Sequence, residues 1–269
     1  MSESSTVSTP QVGTVVADGM VYVTTAYPLP SPPDTSHLIT EDDTPVENLL
    51  SEKHYRLLSE PLYSSWAGPG QGRPFLVLAN VGLFPVPRNP AIVPDVMLSL
   101  DVTAPEDVDR IRSYYMWEFG KPPDVVIEIV SNTKGEEKGT KRIDYAQIGV
   151  AYYIVYDPLP YLDGDVLEVY ELRGGQYQRL PDSWLPNVGL GVTLWEGTFE
   201  GMYSTWLRWC DRDGVVIPTG AERIDYERQR AEAEHQRAEA EHQRAEAEHQ
   251  RAVMLAEKLR ALGIDPDQL

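Results

Sequence analysis

The stretch from residue 122 to residue 158 constrains the fold of this chain more than any other. Its first part, Val125–Val130, is rich in β-branched residues and follows two prolines, which predicts a buried strand. A helix is predicted over Glu136–Gln147, with Gly149 in the C-cap position, and a second strand over Ala151–Tyr156. Because a strand, a helix and a strand in succession form a crossover, we predict that the two strands are parallel neighbours.

Two acidic residues interrupt strands that are otherwise apolar. Glu128 lies within the first strand of the crossover, and Asp95 follows Pro94 inside a strand predicted over Ile92–Leu100. A buried, ionised carboxylate costs several kcal/mol unless a cation or hydrogen-bond donors meet it. We therefore expect Glu128 to have a partner. A divalent cation held by both acids would make both positions tolerable, since Mg²⁺ prefers oxygen ligands.

Lys141 is the candidate for a catalytic cation near these acids. It lies about one turn past the predicted helix start, where crossover packing directs it back to the strand end. Its ammonium group is suited either to hold the attacking water or to stabilise the negative charge of a phosphate in the transition state. Solvent or backbone amides could instead satisfy either acid alone, and we interpret three other basic residues as a solvated helix face, namely Lys134, Lys138 and Arg142.

Asp124 is a third acidic candidate for the site, because it follows a proline directly before the first strand of the crossover. We interpret it as a structural residue at the start of the strand. It precedes Glu128 by four positions and so shares its sheet face, which leaves a supporting role open.

The composition argues against several kinds of functional site. The single cysteine, Cys210, excludes an internal disulfide and cysteine-rich zinc sites, and it fits a reducing compartment. No histidine lies between Tyr55 and Glu234, which disfavours Ser-His-Asp, Cys-His and histidine-zinc sites. Neither a GxxxxGK[ST] loop nor a GxGxxG fingerprint is present. The formal charge of -19 argues against non-specific coating of nucleic acid, so any contact with a polyanion must be local or metal-assisted.

The chain divides into three parts. We predict a disordered or loosely attached arm over residues 1–40, a domain over 41–220 and a charged helical tail over 221–269. The amino terminus lacks the pattern of a signal peptide and no run approaches the ~20 apolar residues of a membrane span, so we expect a cytoplasmic protein without a membrane partner.

Several helices and strands are predicted within the domain. They are a helix over residues 46–62 closed by Pro61, a strand over Pro74–Phe84, a hairpin formed by Asp165–Leu172 and Gln176–Leu180, and a strand over Val188–Trp195. A last hairpin is predicted from Trp206–Cys210 and Val215–Ile217, with a short helix over Met202–Arg208 as its alternative.

The tail repeats the unit RAEAEHQ, with arginines seven residues apart at positions 230, 237, 244 and 251. Its residues are strong helix formers, and Arg230, Arg237 and Arg244 can each pair with a glutamate four residues later. The most apolar register gives a thin coiled-coil seam of alanines and histidines. Three readings stay open: a solvated helix, weak self-association, and metal or pH sensing by His235, His242 and His249.

Several of these segments together resemble a known family. Pro94-Asp95, the strand VVIEIVS, the helix end KRIDYAQIGV and the strand YYIVYDP are similar to the bacterial Uma-two family of restriction endonucleases, in the PD-(D/E)XK superfamily. The similarity extends over residues 46–220 and includes ELRGGQYQRL and WLPNVGLGVTLWEG. It implies an α/β fold with a mixed β-sheet flanked by helices, additional hairpins and a long C-terminal helix. It also implies that Asp95 and Glu128 bind Mg²⁺ or Mn²⁺ for hydrolysis of phosphodiester bonds in DNA.

One position departs from the superfamily pattern, which places a lysine two residues after the acid, where this chain has Val130. The resemblance implies that the lysine has moved to the following helix, at Lys141, with Lys138 as the alternative. An acid of the first helix often contributes in such proteins, and Glu52 is the candidate here.

Two hypotheses about function follow. The first is a metal-dependent DNA endonuclease in which Asp95 and Glu128 position the cation and Lys141 stabilises the developing charge. The second is an inert nuclease-like interaction protein whose coiled-coil tail binds partners or forms a homo-oligomer such as a dimer.

Overall fold

A six-stranded mixed sheet is the centre of the fold. The computed structural model describes residues 11–17, 20–26, 49–107, 112–131 and 139–261. The helices are α1 (Leu49–Ser64), α2 (Met116–Phe119), α3 (Thr140–Ile148) and α4 (Gly220–Ala261). The strands are β1 (Gln11–Ala17), β2 (Met20–Ala26), β3 (Phe75–Ala79), β4 (Leu83–Phe84), β5 (Val96–Leu100), β6 (Tyr114–Tyr115), β7 (Val125–Ile129), β8 (Tyr152–Tyr156), β9 (Leu167–Arg173), β10 (Gln176–Arg179), β11 (Trp184–Leu185), β12 (Leu190–Phe199) and β13 (Met202–Cys210).

The strand order in the main sheet is β10-β9-β8-β7-β5-β3. Strands β7 and β8 are parallel and α3 connects them, which confirms the crossover predicted from the sequence. The other neighbours in the sheet are antiparallel. Every residue of β5, β7 and β8 is buried, because helices or other strands cover both faces of these central strands.

The two faces of the sheet pack against different elements. Val125, Ile127 and Ile129 of β7 belong to a core that includes residues of α1, whereas Val126 belongs to a core that includes Tyr145 of α3. Successive side chains of a strand point to opposite faces, so this alternation follows from the pleat. Glu128 therefore points to the α3 face.

Three smaller sheets complete the described part of the fold. Strands β11, β12 and β13 form an antiparallel sheet, and β13 packs on α1 through the indole of Trp209, which donates to the Leu58 carbonyl at 2.7 Å. Strands β4 and β6 pair in parallel, and β1 and β2 form a hairpin. This hairpin lies within residues 1–40, the arm predicted to be disordered or loosely attached. The division into arm, domain and tail stays a prediction.

Two predicted boundaries are wrong. Helix α1 does not end at Pro61 but continues to Ser64, because Leu62 is fully buried in the core and this burial offsets the backbone hydrogen bond that proline cannot make. The single strand predicted over Pro74–Phe84 is two strands, since Asn80 adopts a φ of 53° that ends β3.

The last predicted hairpin is confirmed only at its end, where the Ile217 N–H donates to the Trp209 carbonyl at 2.9 Å. Met202–Cys210 forms a strand, not a short helix, and its main partner is β12; only one bridge, from Cys210 to Val216, joins it to the predicted partner. The hairpin of β9 and β10 and the long C-terminal helix are confirmed. Helix α3 is described from Thr140, and the start predicted at Glu136 lies outside the described residues. No helix in the described ranges is both long and apolar enough to cross a membrane.

Candidate active site

The structure brings the two unusual acids to one place in the sheet. Strands β5 and β7 pair with Val96 opposite Ile127, so the same register carried one residue further sets Asp95 opposite Glu128. The Ile129 backbone N–H donates to Asp95 Oδ2 at 2.5 Å, which ties the start of β5 to the end of β7. Asp95 and Glu128 therefore lie beside each other, although 32 residues separate them in the sequence.

Two residues of α3 meet the Glu128 carboxylate, which is fully buried. Lys141 Nζ lies 2.8 Å from Glu128 Oε2, and the Tyr145 hydroxyl donates to Oε1 at 2.6 Å. Lys141 and Tyr145 are four residues apart, so they lie on the same face of the helix. The crossover thus supplies a cation and a hydrogen-bond donor to the acid that interrupts the strand.

The electrostatic balance at Glu128 favours its protonated form. Burial is the largest influence and the charge of Asp95 is the next, and together they raise the Glu128 pKa to about 8. The ammonium of Lys141 and the hydroxyl of Tyr145 lower the pKa but do not compensate. An additional positive charge beside the two acids would favour their joint ionisation at neutral pH.

Asp95, Glu128, Lys141, Tyr145 and Tyr55 form a cluster, in which Asp95 provides the connection to α1 on the opposite face of the sheet. Its carboxylate is half-buried, and the Tyr55 hydroxyl of α1 donates to Oδ1 at 2.7 Å. Glu52, the acid of α1 considered from the sequence, instead pairs with Arg56 at 2.8 Å and is about half exposed. Among the contacts of the described residues, α1 reaches the cluster through Tyr55, and none joins Glu52 to Asp95 or Glu128.

The remaining candidates lie elsewhere. Asp124 accepts hydrogen bonds from the Leu100 backbone N–H at 2.7 Å and from Lys121, so it ties β5 to the start of β7, about 13 Å from Glu128 along the strand. The guanidinium of Arg142 lies over the Tyr170 ring, 5.7 Å from its centroid. Lys134 and Lys138 fall outside the described residues.

Two residues of this cluster, Tyr145 and Tyr55, were not predicted as site residues from the sequence. Tyr145 follows Lys141 by four positions, so the spacing of the helix could have identified it once Lys141 was a candidate. Tyr55 is 40 residues from Asp95, and no local pattern marks that contact.

The donors of the cluster suit a divalent cation. The two carboxylates supply four oxygens, and each retains acceptor capacity beyond its hydrogen bond. No group of three or more His, Cys, Asp or Glu residues that could hold a metal occurs in the described ranges, so the protein would contribute two carboxylates. That number is typical of Mg²⁺, which keeps waters and binds substrate phosphates. A cation would also relieve the repulsion that raises the Glu128 pKa.

Comparison with protein families gives one match. The model of the Uma2 family, described as "Putative restriction endonuclease", matches residues 45–194. This range covers more than half of the 269 residues and contains Asp95, Glu128, Lys141 and both tyrosines of the cluster. Comparisons with curated proteins and with solved structures found no match. On the strength of the family match, the chain belongs to the Uma2 family.

Proposed function

We propose that this protein is a metal-dependent endonuclease that hydrolyses phosphodiester bonds in DNA. Asp95 and Glu128 are the proposed ligands of Mg²⁺ or Mn²⁺, and Lys141 is the proposed catalytic cation. The observation that carries the proposal is the 2.8 Å contact between Lys141 and the buried Glu128, beside Asp95. Membership of the Uma2 family supports DNA as the substrate.

Lys141 is suited to bridge the buried site and the substrate. Its side chain is 30% exposed, whereas that of Glu128 is fully buried. The ammonium group can therefore contact a phosphate on the solvent side while it remains held by Glu128. In this position it stabilises the negative charge that develops on the phosphate during attack by water. A bound Mg²⁺ would supply further charge stabilisation and lower the pKa of water.

The other residues of the cluster position the ligands. Tyr145 holds one oxygen of Glu128, and Tyr55 together with the Ile129 N–H holds both oxygens of Asp95. Such contacts fix the orientation of a ligand, and their loss typically reduces metal affinity or activity by about 10- to 100-fold. We therefore assign Tyr55 and Tyr145 as positioning residues.

The charge of the protein shapes how it would bind DNA. Of the 42 acidic residues, 30 precede Ala221, so the part of the chain that carries the cluster is strongly acidic. Repulsion from the phosphate backbone makes metal-free binding weak. We expect DNA binding to require the divalent cation and to weaken steeply as salt rises.

The test is cleavage of plasmid DNA by the purified full-length protein. We expect cleavage with Mg²⁺ or Mn²⁺, none after addition of EDTA, and a loss of about 100-fold or more in Glu128→Gln and Lys141→Ala. Glu196→Gln is the matched control, because Glu196 is exposed on β12, and it should retain wild-type activity. Circular dichroism would verify that each variant folds. Absence of cleavage with either metal, or a Glu128→Gln variant as active as the wild type, would refute the proposal.

A further inference from the structure

Helix α4 has an exposed surface along its whole length. It spans 42 residues, about 63 Å, and none of its side chains is buried. Contacts with the rest of the described chain are concentrated at its start, where Gly220 and Arg223 meet α1. Most of the stability of a helix in a protein comes from the packing of one face, and helix propensity alone contributes little. A partner packed against α4 would therefore stabilise it.

The seam of alanines and histidines does not suit a second copy. In that register, Ala231 and Ala238 alternate with His235 and His242. The positions that flank the seam on both sides are glutamates, represented by Glu232 and Glu234. Two copies paired through this seam would bring glutamate against glutamate in either orientation, which is destabilising.

A second register places complementary charges along the seam. Its core positions are Ala233, Ala240 and Ala247, alternating with Gln236, Gln243 and Gln250. Glutamate flanks one side of this seam in every repeat, and arginine flanks the other. In a parallel pair, the flanking glutamate of one helix faces the arginine five residues further along the other. The resulting pairs are Glu232 with Arg237, Glu239 with Arg244 and Glu246 with Arg251, and Asp225 with Arg230 extends the series.

Large apolar residues mark both ends of the same seam. Tyr226 lies seven residues before Ala233, and Met254 lies seven residues after Ala247. Their side chains are 67% and 56% exposed in the single chain. Exposed apolar side chains at the core positions of a helical repeat indicate an interaction surface.

Within the part of the chain that the structure describes, the arginines of the repeat form no ion pair. The pairs that the spacing allows, from Arg230 to Glu234, Arg237 to Glu241 and Arg244 to Glu248, do not form among the described residues. The ion pairs along the helix involve its acids instead: Asp225 pairs with Arg228, and Glu246 lies 3.8 Å from His242. The guanidinium groups thus remain available to a second helix.

We propose that α4 pairs with α4 of a second copy of this chain as a parallel, two-stranded coiled coil through the seam of Ala233, Ala240 and Ala247. Charge selects the orientation. An antiparallel pair would set glutamate against glutamate and arginine against arginine, whereas the parallel pair sets opposite charges together in every repeat.

The start of α4 is fixed to the body of the protein, meaning the described residues that precede α4. Pairing therefore has a consequence for the candidate site. The buried Arg208 of β13 binds Glu222 at 2.7 Å, and Glu222 forms a capping box with Thr219. Helix α1, which meets the start of α4, also carries Tyr55 of the cluster. A parallel pair therefore holds two bodies at the same end of the coiled coil. If the proposed endonuclease function holds, one dimer can present two active sites to one DNA duplex.

Charge reversal in the full-length protein tests the pairing. Sedimentation equilibrium should show a dimer for the wild type. The variants E232R/E239R/E246R and R237E/R244E/R251E should each raise the dimer Kd by about tenfold or more, and an equal mixture of the two should associate again. The matched control is E234R/E241R/E248R, which makes the same charge change outside the seam and should dimerise as the wild type does.

Cysteine crosslinking tests the orientation. Gln229 occupies a core position of the proposed seam, and Gln229→Cys should form a disulfide-linked dimer under oxidising conditions. A mixture of Gln229→Cys with Gln250→Cys should form no mixed dimer. A monomeric wild type, a mixture of reversed variants that does not associate, a control that loses association, or a mixed disulfide would overturn the proposal. Each result is independent of the cleavage assay, so this pairing and the proposed function can fail separately.

Discussion

The body and the tail of this protein use charged residues in opposite ways. In the body, Glu128 and Arg208 are buried, and each depends on specific partners that the fold brings from other elements. In the tail, the charged residues of the repeat are exposed and solvated. A buried charge is costly unless it is compensated, so removal of one partner matters, whereas single exposed charges contribute little. The body is therefore sensitive to single substitutions, and the tail depends on a repeated pattern.

The largest effect on stability is expected at Arg208. Its guanidinium binds Glu222 and the Ile217 carbonyl, and it lies 5.0 Å from the centre of the Trp195 ring. Arg208→Ala should lower the free energy of unfolding by about 3 kcal/mol, since it removes a buried cation, its hydrogen bonds and its packing. Chemical denaturation measures the change. A loss below about 1 kcal/mol would show that the buried Arg208 contributes no more to stability than an exposed charge of the tail.

The next effect is a pH dependence of stability at Glu128. Its pKa is raised from 4.5 to about 8 in the folded protein, so the folded state holds the proton more tightly than the unfolded state. The stability from this group is fully present below about pH 4.5 and is lost as the pH rises through 8.

Glu128→Gln, which cannot ionise, isolates this contribution. Over the same pH range, the unfolding free energy of the wild type should fall relative to that of Glu128→Gln. Denaturation curves at a series of pH values, recorded without divalent metal, provide the comparison. A difference that is constant with pH would contradict the raised pKa.

A smaller effect is expected from the hydroxyl of Tyr145. Tyr145→Phe removes the 2.6 Å hydrogen bond to Glu128 and should cost about 1 to 2 kcal/mol, because the buried oxygen loses its donor. The pKa of Glu128 should rise further. Tyr203→Phe is the matched control, as Tyr203 is 71% exposed on β13, and its unfolding free energy should match that of the wild type. Equal effects of the two substitutions would remove the distinction between buried and exposed tyrosines.

The smallest effect is expected from a single charge of the tail. Arg230 forms no ion pair in the described part of the chain, so Arg230→Ala should change the unfolding free energy by less than about 0.5 kcal/mol. Denaturation of the wild type and the variant at the same protein concentration measures the difference. A loss similar to that of Arg208→Ala would mean that the tail, too, depends on individual contacts.

Local patterns in the sequence were sufficient for much of the fold. Bounding prolines, a run of β-branched residues and a glycine C-cap predicted β7, α3 and β8, and the parallel pairing followed from the handedness and length of crossovers. The errors occurred where burial overrides a local signal. Leu62 carries α1 past Pro61, and the pairing with β12 makes β13 a strand although its sequence allows a helix.

The sequence by itself determined the strand-helix-strand unit and a long charged helix with a seven-residue repeat. These features depend on residue type and on spacing within one element. Only the tertiary structure decided that Asp95 lies beside Glu128, that Tyr55 holds Asp95, and that Arg208 fixes the start of α4. Those contacts join residues that are distant in the chain, and they arise from the packing of whole elements, which no local pattern encodes.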